Sequence, residues 1–162
     1  MMKTAQLATL YFLCLLGIMP VAASAQPYTI STDGSEVTDQ KTGLIWRRCS
    51  EGMSWNGTTC AGTASTYTHE AALQRAAAQA SSTGVAWRLP NIKELTSIAD
   101  KSRSNPAIDT TAFPATPANW FWSASPDVGG SNYAWFVYFY YGGVDGNGRD
   151  SSYYVRLVRA GQ

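Results

Sequence analysis

The sequence predicts an α+β domain, and three observations carry that prediction. Short β-branched and aromatic runs, broken by polar turns, lie at both ends of the chain. Two capped helical stretches lie between them. An alternating aromatic run followed by a glycine-rich polar segment closes the chain.

Residues 28–32 read as a short strand ended by the turn Asp33-Gly34. Residues 36–39 and 44–48 read as a hairpin around Gln40-Lys41-Thr42-Gly43, with Gly43 at the positive-φ position. Residues 49–67 are rich in Gly, Ser and Thr and read as a loop. Within it Asn56-Gly57-Thr58 matches a glycosylation sequon, which a chain with a bacterial type of leader leaves unused. Residues 68–81 form the first helix. Thr68 caps it, Glu70 sits near the positive end of its dipole, and its many alanines favour helix and let it lie close to a sheet. His69, in the first turn, reads as solvent-facing or capping, because no nucleophile or acid partner stands beside it; a catalytic role is the alternative.

Residues 87–95 join a loop to a second helix. Asn91 is its N-cap, Glu94 completes a capping box, and Pro90 bars an earlier start. Ile92, Leu95 and Ile98 form its apolar stripe. Arg88, Lys93 and Glu94 read as a structural ion pair, with a charged functional site as the alternative. Pro106, Pro114 and Pro117 make residues 101–119 an irregular connection, pinned by Ile108 and Phe113. Residues 120–125, WFWSAS, return to strand.

The C-terminal stretch carries the functional signal. Residues 134–141 read as a strand whose side chains alternate between two faces. Trp135, Val137, Phe139 and Tyr141 share one face, directed at the core. Phe136, Tyr138 and Tyr140 share the other, directed at water. Residues 142–152 read as a polar turn with only Val144 apolar. Residues 153–159 read as a second strand, with Val155 and Leu157 opposite Arg156 and Val158. The uncovered rings and the polar turn together form a binding surface.

The first 25 residues read as a secretory leader. Lys3 is its positive start, an apolar run covers residues 7–21, and Ala23-Ser24-Ala25 offers the cleavage site before Gln26. A membrane anchor is the alternative; a lipid anchor on Cys14 is disfavoured by the bulky Leu13. Residues 26–162 then suit one domain. The chain has 12 basic and 11 acidic residues. Lys3 falls in the leader, so the mature chain balances at zero and has no basic block that would mark a nucleic-acid binder. Six Trp residues exceed what a core of this size demands and suit a recognition surface. Cys49 and Cys60 remain after cleavage, and an exported chain with an even count predicts a disulfide, with two free thiols as the alternative. One histidine and no second cysteine pair argue against a zinc site.

Several stretches together carry a family resemblance. They are Val37-Thr38-Asp39 with Thr42-Gly43-Leu44-Ile45-Trp46, Arg48-Cys49-Ser50, Thr59-Cys60-Ala61-Gly62, and Trp87-Arg88-Leu89-Pro90-Asn91-Ile92-Lys93-Glu94-Leu95. Pro106-Ala107-Ile108-Asp109, Phe121-Trp122-Ser123-Ala124-Ser125, Ala134-Trp135 and Tyr154-Val155-Arg156-Leu157-Val158-Arg159 continue the series. The chain resembles the bacterial family typified by the C-terminal domain of the Lcl collagen-like adhesin. That resemblance implies a C-type-lectin-like fold: two helices flanking a small, mostly antiparallel sheet, with the termini close together.

Residues 131–154 are also similar to the variable region of proteins diversified by retroelements that mutate template adenines. Ala134, Trp135, Val137, Phe139, Gly142, Val144 and Arg149 look fixed. They alternate with residues that such mutation produces from Asn codons. The resemblance and the composition together mark Phe136, Tyr138, Tyr140, Tyr141, Gly143, Asp145, Asn147, Asp150, Ser151, Ser152 and Tyr153 as ligand contacts; an ordinary polar hairpin is the alternative. The calcium-dependent lectins would carry a Glu-Pro-Asn or Gln-Pro-Asp loop and a Trp-Asn-Asp strand, which this chain lacks. Asp127, Asp145 and Asp150 supply oxygens without a demanding spacing, so no metal and no cofactor are expected.

The expected function is therefore recognition: an exported module, periplasmic, surface-bound or secreted, whose partner is a protein or glycan at a cell surface. No nucleic acid and no membrane insertion after cleavage are expected, and a homo-oligomer stays open. The alternatives are a structural subunit of a surface assembly and an enzyme similar to the formylglycine-generating enzymes. The paired active-site cysteines of those enzymes have no counterpart here, since Cys49 and Cys60 lie in the N-terminal part.

Overall fold

A computed structural model describes residues 27–161. The leader, the expected first mature residue Gln26 and the anchor alternatives lie outside the described residues. Among those described, two helices combine with three mostly antiparallel sheets, an α+β architecture as expected. No helix among them is long and apolar enough to cross a membrane.

The first sheet joins the two ends of the described residues. Its strands are β1 (Tyr28–Ile30), β2 (Glu36–Asp39), β3 (Ile45–Arg47) and β11 (Val158–Arg159), in the order β1-β2-β3-β11. The β2–β3 hairpin forms where the sequence places it. Gly43 takes φ +70°, and the Asp39 carboxylate accepts from Lys41 N and Thr42 Oγ1 across the turn. Both described ends meet at this turn: Pro27 O accepts from Gln40 N, and Gly161 lies against Gly43 O.

Residues 49–67 are not the loop expected. They contain a two-stranded hairpin, β4 (Met53–Trp55) and β5 (Cys60–Gly62), and the short strand β6 (Thr66–Tyr67). Asn56 of the sequon folds into the hairpin turn, where its Oδ1 accepts from Thr58 N and Thr59 N at 2.9 Å each. Cys49 and Cys60 are bridged, with Cα atoms 5.4 Å apart and a sequence separation of 11. Closing a loop of that length stabilises by about 2–3 kcal/mol through the unfolded chain.

Helix α1 (His69–Thr83) is capped by the Thr68 side chain and ends at Gly84 with φ +67°. It buries Ala72 and Ala76, small residues that let the helix axis approach the sheet. Helix α2 (Ile92–Ser97) has the full capping box between Asn91 and Glu94. Glu94 also grips Arg88 in a fork, with both N–O distances 2.7 Å, so the structural ion pair is what the fold contains; Lys93 points to solvent. His69 departs from expectation. It is 3% exposed, stands edge-on to Trp122 at 5.3 Å, and its Nε2 lies 3.0 Å from Ser123 O. The cause is the close helix–sheet approach, which seals the first turn of α1 against the strand beneath it. Burial lowers the His69 pKa, which keeps the ring neutral at pH 7.

The second sheet contains β7 (Trp120–Pro126), β8 (Tyr133–Tyr138), β9 (Gly143–Gly148) and β10 (Tyr153–Tyr154), in the order β6-β10-β7-β8-β9. Three expectations change here. The aromatic strand ends at Tyr138. The polar segment after it is strand β9, paired along its whole length with β8. Residues 153–159 split between β10 and β11, which belong to different sheets. The alternation survives that split: Val155 and Leu157 enter one core cluster and Val158 the other.

Both faces of this sheet carry core packing. One cluster joins Phe121, Val137 and Phe139 to Leu95 and Ile98 of the α2 region and to Ile108 and Phe113, so the irregular connection is pinned as predicted. The other joins Trp122, Ala134, Phe136 and Tyr153 to Ala72 and Ala76 of α1. Arg156 is fully buried and faces no carboxylate. Its guanidinium donates to Arg47 O and Arg48 O, to Ser50 Oγ and to Thr116 Oγ1, and lies 4.9 Å from the Phe113 ring centroid. Burial lowers its pKa to about 9, so it is charged at neutral pH.

Candidate functional site

Strand register decides which residues share a surface. Trp120 pairs with Tyr138 and Trp122 with Phe136. On the other side of β8, Tyr138 pairs with Gly143, Phe136 with Asp145 and Ala134 with Asn147. Directly opposed residues project to the same side of a sheet. One face therefore carries Tyr153, Trp120, Trp122, Phe136, Tyr138, Gly143, Asp145 and Asn147.

This face has a covered part and an open part. Phe136 is 7% exposed and Tyr153 6%. Their rings pack 5.1 Å apart and against Trp122, at 6.4 and 4.4 Å. The expectation that Phe136 faces water is wrong, and so is a contact role for the Tyr153 ring. Both side chains fill the space between the sheet and the alanine face of α1. Burying each ring stabilises by about 1.5–3 kcal/mol. At the open part, Trp120 is 40% exposed, Tyr140 46% and Tyr141 58%, and Tyr138 is half-buried. The rings touch in series. Trp120 lies 5.3 Å from Tyr138, Tyr138 stacks on Tyr140 at 5.8 Å, and Tyr141 meets Tyr138 edge-on at 4.9 Å.

The backbone beneath these rings is tied on several sides. Gly142 N donates to Tyr138 O, Asn105 N to Tyr140 O, Ala107 N to Phe139 O and Phe139 N to Asn119 O. Gly142 adopts φ +78° with Lys101 and Ala107 packed against its α-carbon, a conformation that a side chain would strain. Tyr140 and Tyr141 thus sit on a turn anchored by the irregular connection. Their exposure comes from turn geometry and not from strand alternation, so the face assigned to Tyr141 in the strand reading does not apply.

The polar candidates line the edge. Asp145 is exposed on β9, and its Oδ1 accepts from Gly146 N. Asn147 donates to the Tyr153 hydroxyl, so its amide serves the fold as well as the surface. Asp150 and Ser152 are exposed in the turn after β9, and Gly143 and Ser151 are half-buried. Asp127 lies against Gly146. Among the described residues, no group of three or more His, Cys, Asp or Glu side chains is placed to hold a metal ion. Sequence reasoning missed Trp120. The signal was present: in WFWSAS, Phe121 belongs to the core facing α2, which turns Trp120 and Trp122 to the opposite side.

Residues 35–159 match the model of the Lcl C-terminal domain family. The chain belongs to that family. The match includes every strand of the Lcl C-terminal domain except β1 and takes in the whole aromatic face. No curated protein and no solved structure matches the chain.

Proposed function

We propose that this Lcl C-terminal domain is an exported recognition module on a C-type-lectin-like scaffold, and that the open part of the aromatic face is its contact surface. The observation that carries the reading is the series of touching, solvent-exposed rings, Trp120, Tyr138, Tyr140 and Tyr141, beside the Asp145 carboxylate. Aromatic side chains with two rotatable bonds give contact area at low entropy cost. A turn already tied at four backbone positions needs little ordering on binding. The two helices flanking a mostly antiparallel sheet, with the described ends meeting at one turn, support the scaffold assignment.

The ligand is a protein or glycan at a cell surface, and the site recognises it without turning it over. In support of that, the single histidine is sealed in the core against Ser123 O. The exposed positions 140, 141, 145, 150 and 152 are the part of the surface open to retroelement diversification. Phe136 and Tyr153 are structural.

The test uses the purified protein, labelled for flow cytometry on intact cells and for a glycan array. Tyr140→Ala and Tyr141→Ala should each weaken binding at least about tenfold while leaving the melting temperature nearly unchanged; Trp120→Ala, whose ring also packs 5.3 Å from the buried Tyr153, should weaken binding and lower the melting temperature. Undiminished binding in all three variants refutes the surface. A stable oligomer that shields Tyr140 and Tyr141 makes the same rings an assembly interface. A neighbouring reverse transcriptase with a repeat of this segment that differs at adenines would establish diversification.

A further inference from the structure

A second concave surface lies apart from the aromatic face. Strands β2 and β3, the β4–β5 hairpin and the end of α1 enclose a cleft of about 350 Å3. Trp55, Trp87 and Met53 give it apolar walls; Glu36, Arg47 and Glu51 give it polar groups. None of these residues belongs to the five-stranded sheet. A hollow of about 360 Å3 beside Arg159 borders it at Val85.

The polar groups of the cleft have capacity to spare. The Glu51 side chain is 3% exposed, and its Oε2 accepts from Arg75 Nε at 2.6 Å. Its Oε1 has only Arg47 Nη1, at 3.7 Å, which is beyond hydrogen-bonding range. Glu36 commits Oε2 to Arg159 Nη2 at 2.6 Å. Arg47 rests over Trp87 at 4.9 Å and comes no closer to a carboxylate than that 3.7 Å. Trp55 is held by Arg48, whose guanidinium lies 4.2 Å from its ring centroid.

Charge selects the class of ligand. Of the three arginines Arg47, Arg75 and Arg159, only Arg47 lines the cleft; Arg75 and Arg159 pair with Glu51 and Glu36 from outside it, which leaves neither carboxylate an unmatched charge for a cation. An anion bound to Arg47 would lie against Glu51. A hydroxyl suits both neighbours because it donates and accepts. Placed about 2.8 Å from each, it spans the 3.7 Å gap, accepting from Arg47 Nη1 and donating to Glu51 Oε1. Several hydroxyls on an otherwise apolar ring, packed on indole, describe a sugar. We propose that this cleft binds a neutral saccharide ring, with Trp55 as the stacking wall and Arg47, Glu51 and Glu36 as the hydroxyl partners. A cleft of this size accepts one ring, and the neighbouring hollow a second.

The site is tested by saturation-transfer NMR on the purified protein with cellobiose, maltose and N,N′-diacetylchitobiose at millimolar concentrations, and with Nα-acetyl-lysine methylamide as the cationic control. At least one disaccharide should receive saturation from indole protons. Met53→Trp enlarges an apolar wall into the cleft and should abolish the transfer. Trp55→Ala should weaken binding at least about tenfold, as should Glu36→Gln, which preserves shape. Lys93→Ala, which lies on neither surface, should leave the transfer unchanged, so that its loss in Met53→Trp and Trp55→Ala assigns the sugar to this cleft. No transfer to any of the three sugars overturns the proposal, and so does transfer that persists in Met53→Trp. Binding of the lysine derivative in place of the sugars overturns the assignment of a neutral ligand.

Discussion

Replacing Arg156 tests the core most directly. The side chain is fully buried and donates to two backbone carbonyls and two hydroxyls. In Arg156→Ala the Ser50 and Thr116 hydroxyls can turn to other acceptors; Thr116 Oγ1 already donates to Phe113 O. The carbonyls of Arg47 and Arg48 cannot turn away, and each buried acceptor left unmatched costs about 1–3 kcal/mol. The cation–π contact with Phe113 adds up to about 2 kcal/mol in a desolvated site. Relief from burying a charge offsets part of this, so the net loss is about 3–5 kcal/mol. For a domain of this size that lowers the melting temperature by roughly 10–20 °C. Urea unfolding followed by tryptophan fluorescence, with the disulfide intact, measures it. Arg156→Lys keeps the charge but not the planar fork, and should fall between the two. If Arg156→Ala unfolds within about 1 kcal/mol of the wild type, the guanidinium is not what joins β3 to the C-terminal segment.

Three further outcomes follow from the same structure. Phe136→Ala should destabilise by about 3–5 kcal/mol, whereas Tyr141→Ala should stay within about 0.5 kcal/mol; equal effects in denaturant titrations would refute the division of the aromatic face. Burial first, then the nearby Asp39, pushes the Tyr28 pKa up to about 12. Since the fold favours the neutral phenol, its contribution is full below pH 10 and lost as pH rises towards 12. Tyr28→Phe should remove that alkaline loss, and an unchanged stability profile would contradict it. The Arg88 fork holds the Glu94 carboxyl below its ordinary pKa, so its contribution is present above that ordinary value and lost on acidification. Glu94→Gln should cost about 1 kcal/mol at neutral pH, with the difference from wild type closing as pH falls; a gap that persists in acid would assign the effect to the helix cap alone.

The local signals in the sequence were good guides where a residue's own chemistry determines the backbone. The Thr68 cap, the Asn91–Glu94 box, Gly43 in its turn and the Cys49–Cys60 bridge stand where the residues place them. Strand β9 was illegible because Gly, Asp and Asn have little strand propensity; its extended form comes from backbone pairing with β8, a long-range fact. The burial of Phe136 and His69 was hidden for a related reason. Strand alternation separates two faces but does not say which neighbour covers either one, and here α1 covers part of the face read as open. The candidate surface was therefore half legible: Tyr140, Tyr141 and Asp145 are exposed, Phe136 and Tyr153 are core, and Trp120 entered through register alone.

Strand β9 is held to its neighbour by main-chain bonds, and none of its six residues is buried. Its three glycines have no left-handed φ. A methyl group added at Gly143, Gly146 or Gly148 would first meet the side chain of Tyr141, Asp127 or Asp150, which would have to move. Apart from Asn147, which donates to the Tyr153 hydroxyl, the outer edge of the sheet contributes little side-chain packing to the core. Side chains changed along it would act first on the surface and least on the packing of the sheet against the helices.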